Sequence, residues 1–316
     1  MNEIHKYPRT RHLETSKLQD GDEDLQVVPF SEVKGLRLIV EEKIDGSQIG
    51  ISFNPTDLSM LLQSRGHYLN GGPREKEFTI FKQWAATHER TLLECLEDRY
   101  ILYLENMFAK HTEFYDLLPH FMMEYDILDT AEGTWTDAYN NEHPGTWLST
   151  ERRRDMLSGL PVVSVPVIYD GTVKSISQMW GFIGNSAFKS AGFWEVFLKH
   201  FPQYDPDSER ALRGTDDSRI MEGLYIKVEE EGKVVDRYKI VRPGFTQMVA
   251  DSDDHWHDRP IIPNILAPGI DIYDAEMKIC QCGQPGEERV DHGILCGFHC
   301  SKCFEKMVSE GRSRSW

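Results

Sequence analysis

The sequence has no apolar run of the roughly 20 residues that a membrane-crossing helix needs. Its opening, Met1-Asn2-Glu3-Ile4-His5-Lys6, lacks the basic-then-apolar order of a secretory leader. A cytoplasmic protein is the expectation. Positive charge is in deficit: 35 lysines and arginines stand against 52 aspartates and glutamates, a formal net charge of −17. Broad, sequence-blind coating of nucleic acid needs a basic surface and is excluded. A local basic groove is still open, because net charge says nothing about distribution. Cysteine is nearly missing before Cys280, where Cys95 stands alone, so no disulfide framework runs through the chain. Internal repeats and low-complexity segments are lacking too. What remains, 316 residues with 40% hydrophobic and 28% charged, is an ordinary globular composition. It suits one large domain with a small appendage, or two domains.

Apolar patterning predicts strands over residues 36–42, 49–53, 59–64, 100–104, 120–128 and 162–168. Residues 49–53 are expected to pair with 36–42 across the Asp45-Gly46 turn. Residues 223–229 and 234–241 read as a hairpin closed at 230–233. Between 77 and 97, Phe81, Trp84, Ala85, Leu92 and Leu96 recur at helical spacing, which marks a core stripe. Shorter helices are expected near 175–183 and 188–200. Residues 130–147, rich in Gly, Asn, Asp and Thr, read as a loop. Ser149 or Thr150 caps a short helix holding Arg152, Arg153 and Arg154, either a solvated face or an RNA contact. Pro8 keeps the cluster around Tyr7 out of a helix. That arm either docks on the body or brings Arg9, Arg11 or His12 to a nucleotide or an RNA phosphate. An acidic then Pro-rich stretch over 251–264 marks a domain edge.

Reactive residues recur at strand ends. They are Lys43-Ile44-Asp45-Gly46, Ser64-Arg65-Gly66, Leu104-Glu105-Asn106, Glu124-Tyr125-Asp126, Glu222-Gly223-Leu224-Tyr225-Ile226-Lys227 and Tyr238-Lys239-Ile240-Val241-Arg242. A lysine at a strand end, before an acidic-glycine turn, can meet a phosphate with its stem packed and its amine free. The amine is a poor nucleophile while protonated, and nearby cations would activate it by disfavouring its charged form. Lys227, Lys239 and a divalent metal are candidates for that field. Carboxylate oxygen suits Glu222 to Mg2+ or Mn2+. Glu105 suits a ribose hydroxyl, and Tyr125 offers a face for stacking adenine.

In order and type these landmarks resemble motifs I, Ia, III, IIIa, IV and V of the covalent nucleotidyltransferases. Glu42 before the lysine, the run from Glu105 to His111 and the lack of a long C-terminal OB-fold are similar to ATP-dependent RNA ligases of the phage nick-sealing and RNA-editing type. The resemblance spans roughly residues 1–262. It implies an α+β domain of two antiparallel sheets flanked by helices, with ATP in the groove between them. It implies that Lys43 becomes adenylylated, that AMP passes to an RNA 5′-phosphate, and that a 3′-hydroxyl then seals the strand. Glu42, Asp45, Gly46, Arg65, Glu105, Tyr125, Lys227 and Lys239 would form the nucleotide site, with Glu222 on the metal. Asp126 would brace its strand, and Glu124 is read as structural. Two departures stand out. Leu104 sits where the family often has glycine, and Lys239 has Arg237 and Val241, not a second lysine, at two residues' distance.

The remaining cysteines crowd the end of the chain. Cys280-x-Cys282 and Cys300-x-x-Cys303 bracket a loop containing Cys296, His292 and His299. Two close pairs joined by a loop fit tetrahedral Zn2+. Cys280, Cys282, Cys300 and Cys303 are the expected ligands, with Cys296 the first substitute and a reduced, metal-free tail the alternative. The expected organisation is a nucleotidyltransferase domain over 1–262 and a Cys-rich zinc-binding tail over 263–316. The expected function is joining of RNA ends. A DNA ligase, a capping guanylyltransferase and a non-catalytic nucleic-acid-binding protein are the rivals.

Overall fold

The computed structural model describes residues 4–18, 21–158, 160–245 and 260–274, with the backbone of 288–290 and 297–299. In chain order the strands and helices are β1 (Arg11–Leu13), β2 (Val27–Val28), β3 (Leu38–Lys43), β4 (Ser47–Phe53), β5 (Met60–Ser64), α1 (Thr79–Thr87), α2 (Glu89–Leu96), β6 (Tyr100–Asn106), β7 (Met122–Thr136), β8 (Glu142–Trp147), α3 (Thr150–Met156), β9 (Val163–Ser164), β10 (Val167–Gly171), α4 (Ile176–Trp180), α5 (Phe193–His200), α6 (Ser208–Arg213), β11 (Gly223–Glu230) and β12 (Lys233–Val241). A short antiparallel pair, β13 (Glu288–Val290) and β14 (Gly297–His299), follows.

Two sheets organise the body. The first has the order β10-β3-β11-β12-β1-β2 and the second β5-β4-β6-β7-β8. Pairing is antiparallel except at one edge of the first sheet, where β1 runs parallel to both β12 and β2, and at β9, which runs parallel to β7. The α+β class with antiparallel sheets is therefore as expected. Strand alternation decides what each face carries. In the first sheet Leu38, Val40, Leu224, Ile226, Val228 and Ile240 pack with Met179 of α4. In the second, Ile49, Ile51, Leu102 and Leu104 pack under Phe81, Trp84, Leu92 and Leu96. The helical stripe is thus core, as its spacing predicted.

Four expectations change. Residues 36–42 and 49–53 do not form a hairpin: β3 pairs with β10 and β11, and β4 with β5 and β6. The chain crosses between sheets at Ile44–Gly46. Gly46 allows this because a Cβ there would lie 2.6 Å from the Asn106 carbonyl oxygen. The single helix over 77–97 is two, broken at His88, whose ψ of 13° leaves the helical range. The loop over 130–147 is mostly the β7–β8 hairpin, its polar residues supplying the turn at 137–141 and an irregularity after Asp129. The domain edge at 262 lies too early. Asn264 donates to the Met107 carbonyl at 2.8 Å and accepts from the Tyr115 N–H at 2.9 Å, and Ile272 is buried in the core. The body thus extends through the described residues to 274. Cys280, Cys282, Cys296, Cys300 and Cys303 lie outside the described residues.

Candidate active site

Lys43 ends β3 opposite Gly223, the first residue of β11. Gly223 brings its strand close: a Cβ there would fall 1.9 Å from the Ile240 carbonyl oxygen. The preceding Glu222 is buried, and its Oε2 accepts a hydrogen bond from Lys43 Nζ at 2.7 Å. The second sheet answers with Glu105, whose Oε1 accepts from the Gly46 N–H at 3.1 Å. Asp45 stitches the crossing in place. Its carboxylate accepts from the Thr112 and Glu113 N–H groups at 2.7 and 2.9 Å, and its own N–H reaches the Tyr115 hydroxyl at 3.0 Å.

Carboxylates, not cations, dominate around the lysine. Burial works against the Lys43 charge, but Glu222, Asp45 and Glu105 outweigh it and hold its pKa above the ordinary lysine value. Burial pushes both Glu222 and Glu105 up to about 7, with Lys43 opposing. Among the described residues, these carboxylates outweigh the expected field of cations around Lys43. Lys239 does face this cluster. Burial sets its pKa below the ordinary value, Asp22 opposes that, and repulsion by Lys43 adds to it. Tyr125 is half-buried, with Tyr7 edge-on at 5.1 Å between centroids.

Three expected site residues lie elsewhere. Glu42 alternates to the opposite side of β3 from Lys43 and accepts from the Ala187 N–H at 3.3 Å. Lys227 is fully buried, 2.9 Å from Glu41 and 3.7 Å from Asp126, and it donates to the Tyr125 carbonyl. Arg65 is exposed. Of the arginine run, Arg153 is a buried hub: it pairs with Glu124 and with Glu41 at 3.2 Å. Glu124 is structural, as expected. Arg237 joins the same network through Asp126 at 3.1 Å, and Arg242 binds Asp216, Glu113 at 3.2 Å and the Met221 carbonyl. The N-terminal arm docks: the Tyr7 hydroxyl donates to Asp126 at 2.5 Å, and Arg11 pairs with Asp236 at 2.6 Å.

Sequence reasoning missed Asp22, whose carboxylate holds Lys239, and the Lys189–Glu113 pair. Neither sits in a motif, and an isolated acid among 52 gives no signal. Among the described residues, no three His, Cys, Asp or Glu side chains group as a metal cage. Mg2+ does not require one, since it binds through one or two carboxylates plus substrate phosphates. Glu222, a buried carboxylate beside the Lys43 amine, supplies such an oxygen.

No curated protein matches the sequence. Solved structures similar in fold include two mutants of the Naegleria gruberi RNA ligase with ATP and Mn. The first is 16% identical, with a TM-score of 0.42, over 70% of this chain and 54% of that one. The second is 15% identical, with a TM-score of 0.41, over 78% and 64%. The same ligase with PPi is 18% identical, with a TM-score of 0.38, over 70% and 53%. The chain thus spans a little over half to under two-thirds of the length of these structures. The RNA ligase family model matches residues 36–241, from the strand that carries Lys43 to the strand that carries Lys239. That match covers well over half of the sequence, and the chain belongs to the RNA ligase family.

Proposed function

We propose that the protein is an ATP-dependent RNA ligase that works through lysyl-AMP on Lys43. The observation that carries this is the meeting of Lys43, Glu222, Glu105 and Lys239 between the two sheets, in a chain of the RNA ligase family. The Lys43 amine loses a proton and attacks the α-phosphorus of ATP. An N–P bond forms, the bond to the β-phosphate oxygen breaks, and pyrophosphate leaves. An RNA 5′-phosphate oxygen then displaces the lysine, which regains a proton. Finally the RNA 3′-hydroxyl oxygen attacks the activated 5′-phosphorus, loses its proton and expels AMP. Lys239 balances phosphate charge, where positioning and electrostatics supply most of the catalysis. Glu105 holds a ribose hydroxyl and Tyr125 stacks on adenine. Asp45 and Gly46 shape the crossing that presents Lys43. Glu222 would hold Mg2+ or Mn2+, which supplies positive charge beside the transferring phosphoryl group.

Glu222, Asp45 and Glu105 all favour the protonated amine. Incubation with α-labelled ATP and Mg2+ or Mn2+, without nucleic acid, should leave label on the denatured protein and none on Lys43→Ala. Absence of label from folded, AMP-free protein with either ATP or GTP would overturn the proposal. RNA and DNA ends presented side by side then separate an RNA from a DNA ligase. The proposal extends to Zn2+ on Cys280, Cys282, Cys300 and Cys303, with Cys296 as substitute, supported by their spacing. Metal content of the wild type against Cys→Ser variants tests it.

A further inference from the structure

Lys239 enters the pocket from β12 with its neighbour on the sheet edge already chosen. β1 runs parallel to β12 and sets His12 opposite Lys239. His12 is fully buried, and its Nε2 donates to Asp22 Oδ2 at 3.1 Å. Its other ring nitrogen, Nδ1, shares a hydrogen bond with the Ser16 hydroxyl at 2.8 Å, and Ser16 Oγ accepts from the Val241 N–H at 2.9 Å. Arg9 adds a bond to Asp22 Oδ1 at 2.9 Å, and its guanidinium also donates to the Gly21 carbonyl. Tyr139, from the β7–β8 turn, accepts from Arg9 at 2.6 Å and donates to Asp24 at 2.7 Å. The loop bearing Asp22 is therefore pinned from the arm, from β1 and from the second sheet. The Asp22 carboxylate in turn binds the Lys239 amine.

We propose that Asp22 is a positioning residue for lysine adenylylation, holding the Lys239 amine where it meets the ATP phosphates. The inference rests on the reading of Lys239 as a phosphate-facing residue. A free lysine side chain samples many rotamers, and fixing one costs entropy during binding and reaction. Asp22 meets that cost on folding, and His12 and Arg9 keep the carboxylate itself from moving. Their bonds also share its negative charge, which moderates repulsion of the triphosphate.

The test is single-turnover formation of lysyl-AMP from α-labelled ATP by the full chain, with four variants: Asp22→Ala, Asp22→Glu, Lys239→Ala and Asp22→Ala/Lys239→Ala. Asp22→Ala is expected to slow labelling about ten- to hundredfold. Asp22→Glu is expected to recover part of that loss. The double variant is expected to be no slower than Lys239→Ala alone, because both changes remove one interaction. A residue that only supports the fold would instead add its loss to that of Lys239→Ala. An additive double variant, or an unslowed Asp22→Ala, overturns the proposal. If Asp22→Ala fails to fold, Asp22→Asn, which keeps the shape and removes the charge, takes its place in the same cycle. A wild type that takes no label defeats the ligase reading itself, and that failure is separate from an additive cycle in a labelling protein.

Discussion

Two charged regions share the space between the sheets, and they are built in opposite ways. One is the layer of Glu41, Glu124, Asp126, Arg153, Lys227 and Arg237. It has equal numbers of carboxylates and cations, each member is buried, and every cation lies within 3.2 Å of a carboxylate. The other is the Lys43 pocket, where the lysine is partly exposed and carboxylates crowd it without matching cations. The difference separates support from chemistry. A balanced, sealed network resists change, while an acid-rich opening has affinity for added positive charge. Lys227 and Lys239 lie on the neighbouring strands β11 and β12, yet they belong to different sides of this division.

The largest expected effect is at Lys43. Lys43→Ala should lose all covalent labelling by ATP while its thermal melt stays within a few degrees of wild type, because the side chain is partly exposed and supports little packing. Lys227→Met should do the reverse. It leaves Glu41 and Asp126 buried with one cation fewer, which costs about 3–5 kcal/mol. A urea unfolding curve checks this. If Lys227→Met kept its stability and lost labelling, the lysine would belong with the pocket, and the division would fail. Tyr125→Ala should weaken ATP binding by about 1–3 kcal/mol through lost stacking, measured by titration before turnover. The smallest effect is acid sensitivity. Burial raises the Asp126 pKa, but Lys227, Arg237 and Arg153 more than reverse this and hold it below the ordinary carboxylate range. A depressed folded-state pKa gives stability that is present above the ordinary value of about 3.9 and is lost as pH falls through the folded value. Asp126→Asn should flatten that part of the stability profile below about pH 4.

Much of this was legible in the sequence, and the limits have physical causes. The helical stripe and the β11–β12 hairpin follow from periodicity, and the convergence of Lys43 with Glu222 was implied by the resemblance of the ordered motifs. The β3–β4 hairpin was misread because local pattern gives a strand's presence and not its partner. Here the chain changes sheets within three residues. Lys227 was read as a phosphate-facing lysine because a motif lysine and a lysine in a buried ion network look alike until a carboxylate is seen beside them. Arg153 was hidden for the same reason, within a run that resembles a solvated face. Asp22 reaches Lys239 across more than 200 residues of chain, a pairing that no window of sequence contains.

The order β11-β12-β1-β2 joins the N-terminal strands to the late β11–β12 hairpin within one sheet. During synthesis β1 emerges early, and β12, which links it to the rest of that sheet among the described residues, emerges about 220 residues later. Until then β3 also lacks β11, and Lys43 lacks Glu222. The pocket is thus a late product of folding, completed only when nearly the whole body has left the ribosome. A nascent chain that stops before β11 holds Lys43 without Glu222, so the pocket cannot be assembled on a half-made protein.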